Sequence, residues 1–213
     1  MNPNPAGSSQ QYQAGGPGQG PYPAQPGSYT QPGSYAPPQP PVPAASDRSK
    51  VATALLLVST VFIGLMAGLF FAFDVSVMPG LAASDDRTYV TAMQAFNKAI
   101  DGNGLFGMVF IIALLTAGAS AIVEFRKGRR NVAIWVGVAT VAYFIVLMIT
   151  FAVNIPLNNE LAAAGDATKM TDFSIVEKFK GTWVSTNILR TLLCTAALTA
   201  LSRALVLYGR ATR

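Results

Sequence analysis

Histidine is absent from this 213-residue sequence, and cysteine occurs once, at Cys194. These absences exclude an intramolecular disulfide, zinc sites built from Cys and His, His-ligated haem, and catalysis by a Ser–His or Cys–His pair. Charged residues are also scarce, at 12% of the chain, against roughly 25% in an ordinary soluble domain. Because 51% of the residues are hydrophobic, we expect a membrane protein without a metal site.

The first 46 residues differ in composition from the rest of the chain. They contain none of its charged residues, but 12 of its 14 prolines and seven of its 19 glycines. So few aliphatic side chains cannot offset the entropy that ordering would cost. We therefore predict a disordered Pro/Gly/Gln/Tyr-rich tail over residues 1–46, which is either a passive segment or a docking segment, and a membrane domain over residues 47–213.

Four apolar segments are long enough to cross a bilayer. The first, residues 51–73, has 23 residues without a charge, and a helix of that length can span a hydrocarbon core of roughly 30 Å. The other three are predicted at residues 105–123, 132–153 and 188–208. The last contains Arg190 and Arg203 near its ends, where long side chains reach the headgroups. The predicted fold class is all-α, an integral membrane four-helix bundle. The lipid bilayer is its expected partner.

The charges divide unevenly between the two faces of this bundle. One face collects nine basic and two acidic residues, a net charge of +7, and the other collects six basic and eight acidic residues, a net charge of −2. Positive residues favour the cytoplasmic side, so both termini are expected in the cytoplasm, with the protein in the plasma membrane. The basic residues flank the spans instead of forming a stripe with aromatics, so no nucleic-acid partner is expected. Glu124 is expected to pair within the basic cluster 126–130.

Small residues recur at a spacing typical of closely packed membrane helices. Gly64 and Gly68 form a GxxxG motif in the first span, and Ala113 and Ala117 have the same spacing in the second. Packing within one chain is the favoured interpretation. A homodimer through Gly64 and Gly68 is the alternative.

Two segments between the spans have apolar stripes of their own. Ser84 with the two following aspartates predicts a helix start, and Asp101-Gly102 predicts its end. Between them, one face carries Tyr89, Met93, Phe96 and Ile100, so we expect a short outer surface helix that covers the bundle or lies on the membrane. Residues 172–180 have a similar stripe, formed by Phe173, Val176 and Phe179.

Four stretches of the chain carry a resemblance to a known family. They are Gly68-Leu69-Phe70-Phe71-Ala72-Phe73 followed by Val77-Met78-Pro79, then Met93-Gln94-Ala95-Phe96-Asn97, then Asn154-Ile155-Pro156-Leu157-Asn158, and finally Trp183 with Asn187, Arg190 and Thr191. In this order they resemble the anthrone-oxygenase-like integral membrane proteins, a largely uncharacterised bacterial and fungal family. The similarity covers about residues 51–208. Two positions depart from the pattern: Asp74 replaces a small polar residue, and Thr186 replaces a second tryptophan.

The resemblance implies a four-helix membrane protein. In the best-known branch, it implies an oxygenase that converts anthrones to anthraquinones with molecular oxygen and without a metal or organic cofactor. Applied to this chain, it predicts oxidation of a lipophilic phenol or ketone, with that small molecule as a partner.

Oxidation without a cofactor needs a general base, donors to an oxyanion and a site that excludes water. Alternating span direction brings polar residues to one end of the bundle, where Asp74 is the candidate base and Arg190 the candidate catalytic cation. We predict that these two side chains are direct neighbours. The candidate substrate-binding residues are Asn97 on the surface helix, Asn154 and Asn158 after the third span, and Trp183 and Asn187 around the start of the fourth.

Other interpretations of the same residues stay open. The polar cluster can instead be structural, with Asp74 paired to Arg190 and the asparagines satisfying helix ends beside the prolines. Cys194 is expected to be a buried filler, not a nucleophile. The alternative function is a small non-enzymatic membrane protein, either a transporter or exporter or a scaffold recruited through its tail. The absence of ionisable residues in the middle of the first three spans disfavours coupled transport.

Overall fold

The computed structural model describes residues 46–212, and the predictions for residues 1–45, including the disordered tail, lie outside the described residues. Within residues 46–212 every regular element is helical, which confirms the all-α fold class. The helices are α1 (Ser46–Ala72), α2 (Met78–Ala82), α3 (Asp86–Asp101), α4 (Gly104–Arg126), α5 (Arg130–Ile149), α6 (Ile155–Ala163), α7 (Ser174–Lys178) and α8 (Val184–Ala211). Three π-helical turns, at Phe73–Val77, Thr150–Asn154 and Phe179–Trp183, continue one helix into the next.

Joined through these turns, the helices make four segments that are long and apolar enough to cross a membrane. They cover Lys50–Ala82, Gly104–Arg126, Arg130–Ala163 and Ser174–Ala211. The four predicted spans are thus confirmed, and the chain is a membrane protein. The first, third and fourth segments are longer than predicted because their helices continue through a π turn beyond the apolar run.

Each long helix packs against two neighbours, in the order α1, α4, α5, α8 and back to α1. Alanines lie at many of these contacts, and Ala113, Ala139 and Ala197 are fully buried. Small side chains let helix backbones approach closely, which is the main source of packing between helices in lipid. Large apolar residues such as Leu65 and Val141 face outward, as expected of surfaces in contact with lipid.

The small-residue motif of the first span packs partly within the chain. A Cβ at Gly64 would lie 3.7 Å from the Leu198 side chain on α8, whereas a Cβ at Gly68 would meet no atom within 4 Å. Ala113 and Ala117 are both fully buried in the bundle. Intramolecular packing therefore accounts for Gly64, and a homodimer through Gly64 and Gly68 stays a prediction.

One end of the bundle is covered by α2, α3, α6 and α7, and we call it the capped end. These helices share a second apolar cluster, which includes Met78, Tyr89, Leu161 and Val176. α3 begins as predicted around residue 85, because the Asp85 side chain accepts a hydrogen bond from the backbone N–H of Thr88. That same hydrogen bond is the main cause that lowers the pKa of Asp85.

The predicted apolar stripe of α3 is confirmed at Tyr89 and Met93 and is wrong at Phe96. Tyr89 and Met93 are fully buried, but Phe96 is 38% exposed, and the neighbouring Asn97 is only 9% exposed. Burial raises the pKa of Tyr89 to about 12. The buried face of α3 runs through Val90 and Asn97 because this helix covers a polar cavity as well as the apolar cluster. The second stripe is confirmed at Val176 and Phe179, which are fully buried.

The charge partition predicts that the capped end faces away from the cytoplasm. Gly128 and Gly165 lie in loops at opposite ends of the bundle, and both have a positive φ that suits glycine in a turn. A reporter domain that functions only in the cytoplasm should therefore be active when inserted at Gly128. A reporter domain that functions only outside the cytoplasm should be active when inserted at Gly165. The reverse pattern of reporter activity would contradict this topology.

Candidate functional site

A cavity of about 310 Å³ lies beneath the capped end. Its wall is formed by the end of α1, the end of α3, the start of α4, the second π turn with α6, and the start of α8. The polar residues in the wall are Asn97, Asp101, Asn103, Thr150, Asn154, Asn158, Asn187 and Arg190. Phenylalanines 70, 73, 106, 110 and 151, together with Trp183, supply most of its aromatic surface.

All three π turns carry polar or aromatic residues of this region. The first contains Asp74, the second contains Thr150 and Asn154, and the third contains Trp183. Two of these turns precede a proline, Pro79 or Pro156. Because proline has no N–H to bond the carbonyl four residues earlier, the regular α-helical ladder is interrupted inside each of these turns. A π turn has more residues than a turn of α-helix, and such turns are frequent at functional sites.

Arg190 is the central cation of the cavity and is only 4% exposed. Its guanidinium donates hydrogen bonds to Asn187 Oδ1 at 2.8 Å and to Thr150 Oγ1 at 3.2 Å. The guanidinium carbon lies 4.4 Å from the ring centre of Phe70 and 5.5 Å from that of Trp183. Hydrogen bonds and aromatic faces therefore hold the planar cation in one orientation.

Asp74 is not the direct neighbour of Arg190, and that prediction is wrong. No basic nitrogen within residues 50–212 approaches the Asp74 carboxylate to 4.0 Å or less. The carboxylate instead accepts hydrogen bonds from Asn187 Nδ2 at 2.5 Å and from the Thr191 hydroxyl. Asn187 thus bridges the two charges, since its Nδ2 faces Asp74 and its Oδ1 faces Arg190. Helix rotation puts Asp74 behind Asn187, and it does not line the cavity.

The orientation of the Asn187 amide follows from its partners. Its Nδ2 also donates to the Phe70 carbonyl at 2.9 Å, and neither that carbonyl nor the Asp74 carboxylate can donate in return. Only the amide nitrogen can therefore face this pair, which leaves Oδ1 for Arg190. Asn187 is completely buried, so the bridge is shielded from competing water.

Three buried polar atoms in the cavity wall have no hydrogen-bond partner among the described residues. They are Arg190 Nε, Asn97 Nδ2 and Asn154 Oδ1. Asn154 is oriented by Thr186, whose hydroxyl donates to backbone carbonyls and therefore accepts from Asn154 Nδ2 at 3.0 Å. Unpaired buried polar atoms cost free energy. The wall therefore offers a ligand two donors and one acceptor on three separate elements.

The remaining predicted residues also lie in the wall. Trp183 donates from Nε1 to Asn158 Oδ1 at 2.9 Å and stacks on Phe179 with ring centres 5.6 Å apart. The structure thus brings Arg190 and all five candidate substrate-binding residues to one cavity, whereas Asp74 supports it from behind. Cys194 is fully buried in the bundle core, as expected of a filler.

Several residues of the wall have no clear signal in the sequence. The sequence predicts Asp101 only as the end of a helix, but it is the sole carboxylate in the cavity lining that the structure describes. Thr150 cannot be identified from the sequence, because an isolated threonine in an apolar span does not indicate its hydrogen-bond partner. The prolines beside the π turns were the available signal for Thr150 and Asn154. Across residues 50–212, no group of three or more Cys, Asp or Glu side chains is placed to hold a metal ion.

Comparison with known proteins gives one finding. The pattern of a protein family described as anthrone oxygenase matches residues 93–200. That range begins in α3 and ends in α8, so it includes the polar wall of the cavity but not its α1 side. No curated protein and no solved structure matches the chain.

Proposed function

We propose that this chain, which belongs to the anthrone oxygenase family, is a membrane enzyme that oxidises a lipophilic phenol or ketone with molecular oxygen. The observation that carries this proposal is the cavity beneath the capped end, where aromatic walls surround a buried guanidinium and three unpartnered polar atoms. Aromatic walls suit a flat apolar ring system, and the free donors suit an oxygen that becomes negatively charged.

The polar atoms have complementary roles in this proposal. Arg190 Nε and Asn97 Nδ2 donate to a carbonyl or phenolic oxygen of the substrate, and the positive charge of Arg190 favours its anionic form. Asn154 Oδ1 accepts a hydrogen bond from a substrate hydroxyl. Arg190 touches the substrate and is the catalytic cation, while Asn158 positions Trp183 through the indole N–H.

The proposed reaction converts a methylene that is linked to a carbonyl, either directly or through a fused aromatic ring, into a second carbonyl. A base removes one proton, and the charge moves onto the carbonyl oxygen held by Arg190 and Asn97. The enolate carbon gives its electrons to O₂, forming a C–O bond, and protonation yields a hydroperoxide. Loss of water breaks the O–O bond and removes the second hydrogen. One methylene and one O₂ become one carbonyl and one water, so carbon is oxidised and oxygen is reduced.

We assign the base to Asp101 in place of Asp74. Asp101 lines the cavity and is exposed, so its carboxylate can take a proton from the substrate and release it to water. Asp74 uses its carboxylate to accept from Asn187 and Thr191. It therefore acts as a positioning residue, because it holds Asn187 and, through Asn187, the guanidinium of Arg190.

Oxygen uptake by the purified protein in lipid nanodiscs tests the proposal. With anthrone and a panel of lipophilic phenols and ketones, we expect uptake with at least one compound, with one O₂ consumed per carbonyl formed. Asn97→Leu removes a donor at similar volume and should lower kcat by about 100-fold, as loss of an oxyanion donor does. The control is Lys98→Leu, one residue away and exposed, which should leave kcat unchanged. Equal effects of the two variants would contradict the role of Asn97.

A further inference from the structure

Some residues of the cavity wall also form part of the outer surface of the bundle. On α4, Gly107 is exposed and Ile111 is 41% exposed, and on the neighbouring segment Phe151 is 50% exposed. A Cβ at Gly107 would meet no atom within 4 Å. The cavity wall is therefore thin or absent between α4 and the end of α5.

The position of this gap decides what it faces. α4 is one of the four segments able to cross the membrane, and it begins at Gly104. At 1.5 Å per residue, Gly107 and Ile111 lie about 5 Å and about 10 Å along the helix from that start. The surfaces beside the gap are apolar, with Met108 and Phe144 49% and 47% exposed. A gap with apolar surroundings on a membrane-spanning helix is expected to face acyl chains.

We propose that the gap between Gly107, Ile111 and Phe151 is a lateral portal, through which a lipid-dissolved aromatic ligand enters the cavity directly from the bilayer. The identity of the ligand rests on the proposed function, whereas the route rests only on the wall geometry. Phe110 also lines the cavity, and its ring centre lies 6.3 Å from that of Phe151. The unpartnered atoms of Asn97, Asn154 and Arg190 lie in the interior wall.

This arrangement sorts ligands by their solubility in lipid. A molecule dissolved in the hydrocarbon phase is already desolvated, so entry through an apolar portal does not require its aromatic body to leave water. Once the ligand is inside, its oxygens form hydrogen bonds with the unpartnered donors and acceptor of the interior wall. Phe151 is half exposed and its ring lies tilted against that of Phe110, so it can restrict the width of the portal by a change of rotamer.

Tryptophan fluorescence can test the portal without any enzymatic activity. The chain has two tryptophans, and Trp135→Phe leaves Trp183 in the cavity wall as the reporter. In vesicles of phosphatidylcholine brominated on its acyl chains, Trp183 should be quenched although it is 5% exposed. Gly107→Phe should remove most of this quenching by filling the portal. The control Gly137→Phe is on α5, where an added Cβ also meets nothing within 4 Å, and it should leave the quenching unchanged.

A second variant acts in the opposite direction, so the test does not depend on the folding of Gly107→Phe. Phe151→Ala widens the portal and should increase the quenching of Trp183 by brominated lipid. Absence of quenching in the parent chain, or equal quenching in the variants at positions 107 and 137, would overturn the portal. So would a response to Gly107→Phe seen only with the aqueous quencher acrylamide.

Oxygen uptake in the same vesicles separates this inference from the proposed function. If quenching responds at positions 107 and 151 while the parent chain takes up no oxygen with any compound, the portal stands and the oxygenase proposal fails. If the parent chain takes up oxygen and Gly107→Phe changes neither uptake nor quenching, the oxygenase proposal stands and the portal is overturned.

Discussion

Arg190→Ala is expected to abolish oxygen uptake and to destabilise the capped end. The variant removes the charge and the free Nε donor that stabilise the substrate anion, so kcat should fall at least about 100-fold. It also leaves Asn187 Oδ1 buried without its donor and empties the space between Phe70 and Trp183. An unsatisfied buried acceptor costs about 1–3 kcal/mol. Oxygen uptake and thermal unfolding in the same lipid nanodiscs measure the two effects.

Arg190→Lys separates charge from geometry. Lysine keeps the cation but cannot donate to Asn187 and Thr150 in the planar arrangement of the guanidinium. We expect stability close to that of the parent chain, but activity well below it. Activity at the parent level in Arg190→Lys would mean that only the charge matters, and activity at that level in Arg190→Ala would remove Arg190 from the mechanism.

The bridge through Asn187 predicts energetic coupling between Asp74 and Arg190, which a double-mutant cycle can measure. Asp74→Asn combined with Arg190→Gln should be milder than the worse of the two single changes, because both residues belong to one hydrogen-bond network. Repeating the cycle in Asn187→Ala should remove this coupling, since the two charges then share no partner. Coupling that persists without Asn187 would show a direct interaction between the charges.

Arg129→Met is expected to cause the largest loss of stability at the opposite end of the bundle. Arg129 donates hydrogen bonds from two of its nitrogens to Glu124, a carboxylate with no exposed surface, and this hydrogen bonding raises the pKa of Arg129. Its guanidinium also lies 5.1 Å from the ring centre of Tyr208. Removing one partner of a buried ion pair leaves the other charge uncompensated, which costs about 3–5 kcal/mol.

Two matched variants serve as controls for the prediction on Arg129→Met. Glu124→Gln combined with Arg129→Met removes both charges and should be milder than Arg129→Met alone. Arg130→Met changes an exposed arginine of the same basic cluster and should alter the free energy of unfolding by no more than about 0.5 kcal/mol. Equal destabilisation by Arg129→Met and Arg130→Met would mean that the Arg129–Glu124 pair contributes no more to stability than an exposed arginine does. The pair itself was predicted from sequence only as a contact somewhere in the basic cluster.

The span number and the general location of the site followed from the sequence. A helix needs about 20 apolar residues to cross a hydrocarbon core, and that length criterion applies to each segment independently of its neighbours. Once there are four spans, alternating direction brings Asn154 and Asn187 to the same end, whatever the packing. The stretches that resemble the family contain most of the polar wall, and the match over residues 93–200 confirms that resemblance.

The direction of each side chain was decided only by the tertiary structure. Successive side chains along an α-helix differ in direction by about 100°. A small rotation of the helix about its axis therefore decides which of two adjacent residues faces inward. That is why Asn97 is buried in place of Phe96, and why Asp74 faces Asn187 from behind the cavity. Each π turn adds to this rotation, and the composition of a span does not show where such a turn will form. Sequence determined which residues gather at the capped end, and packing determined which of them face the cavity.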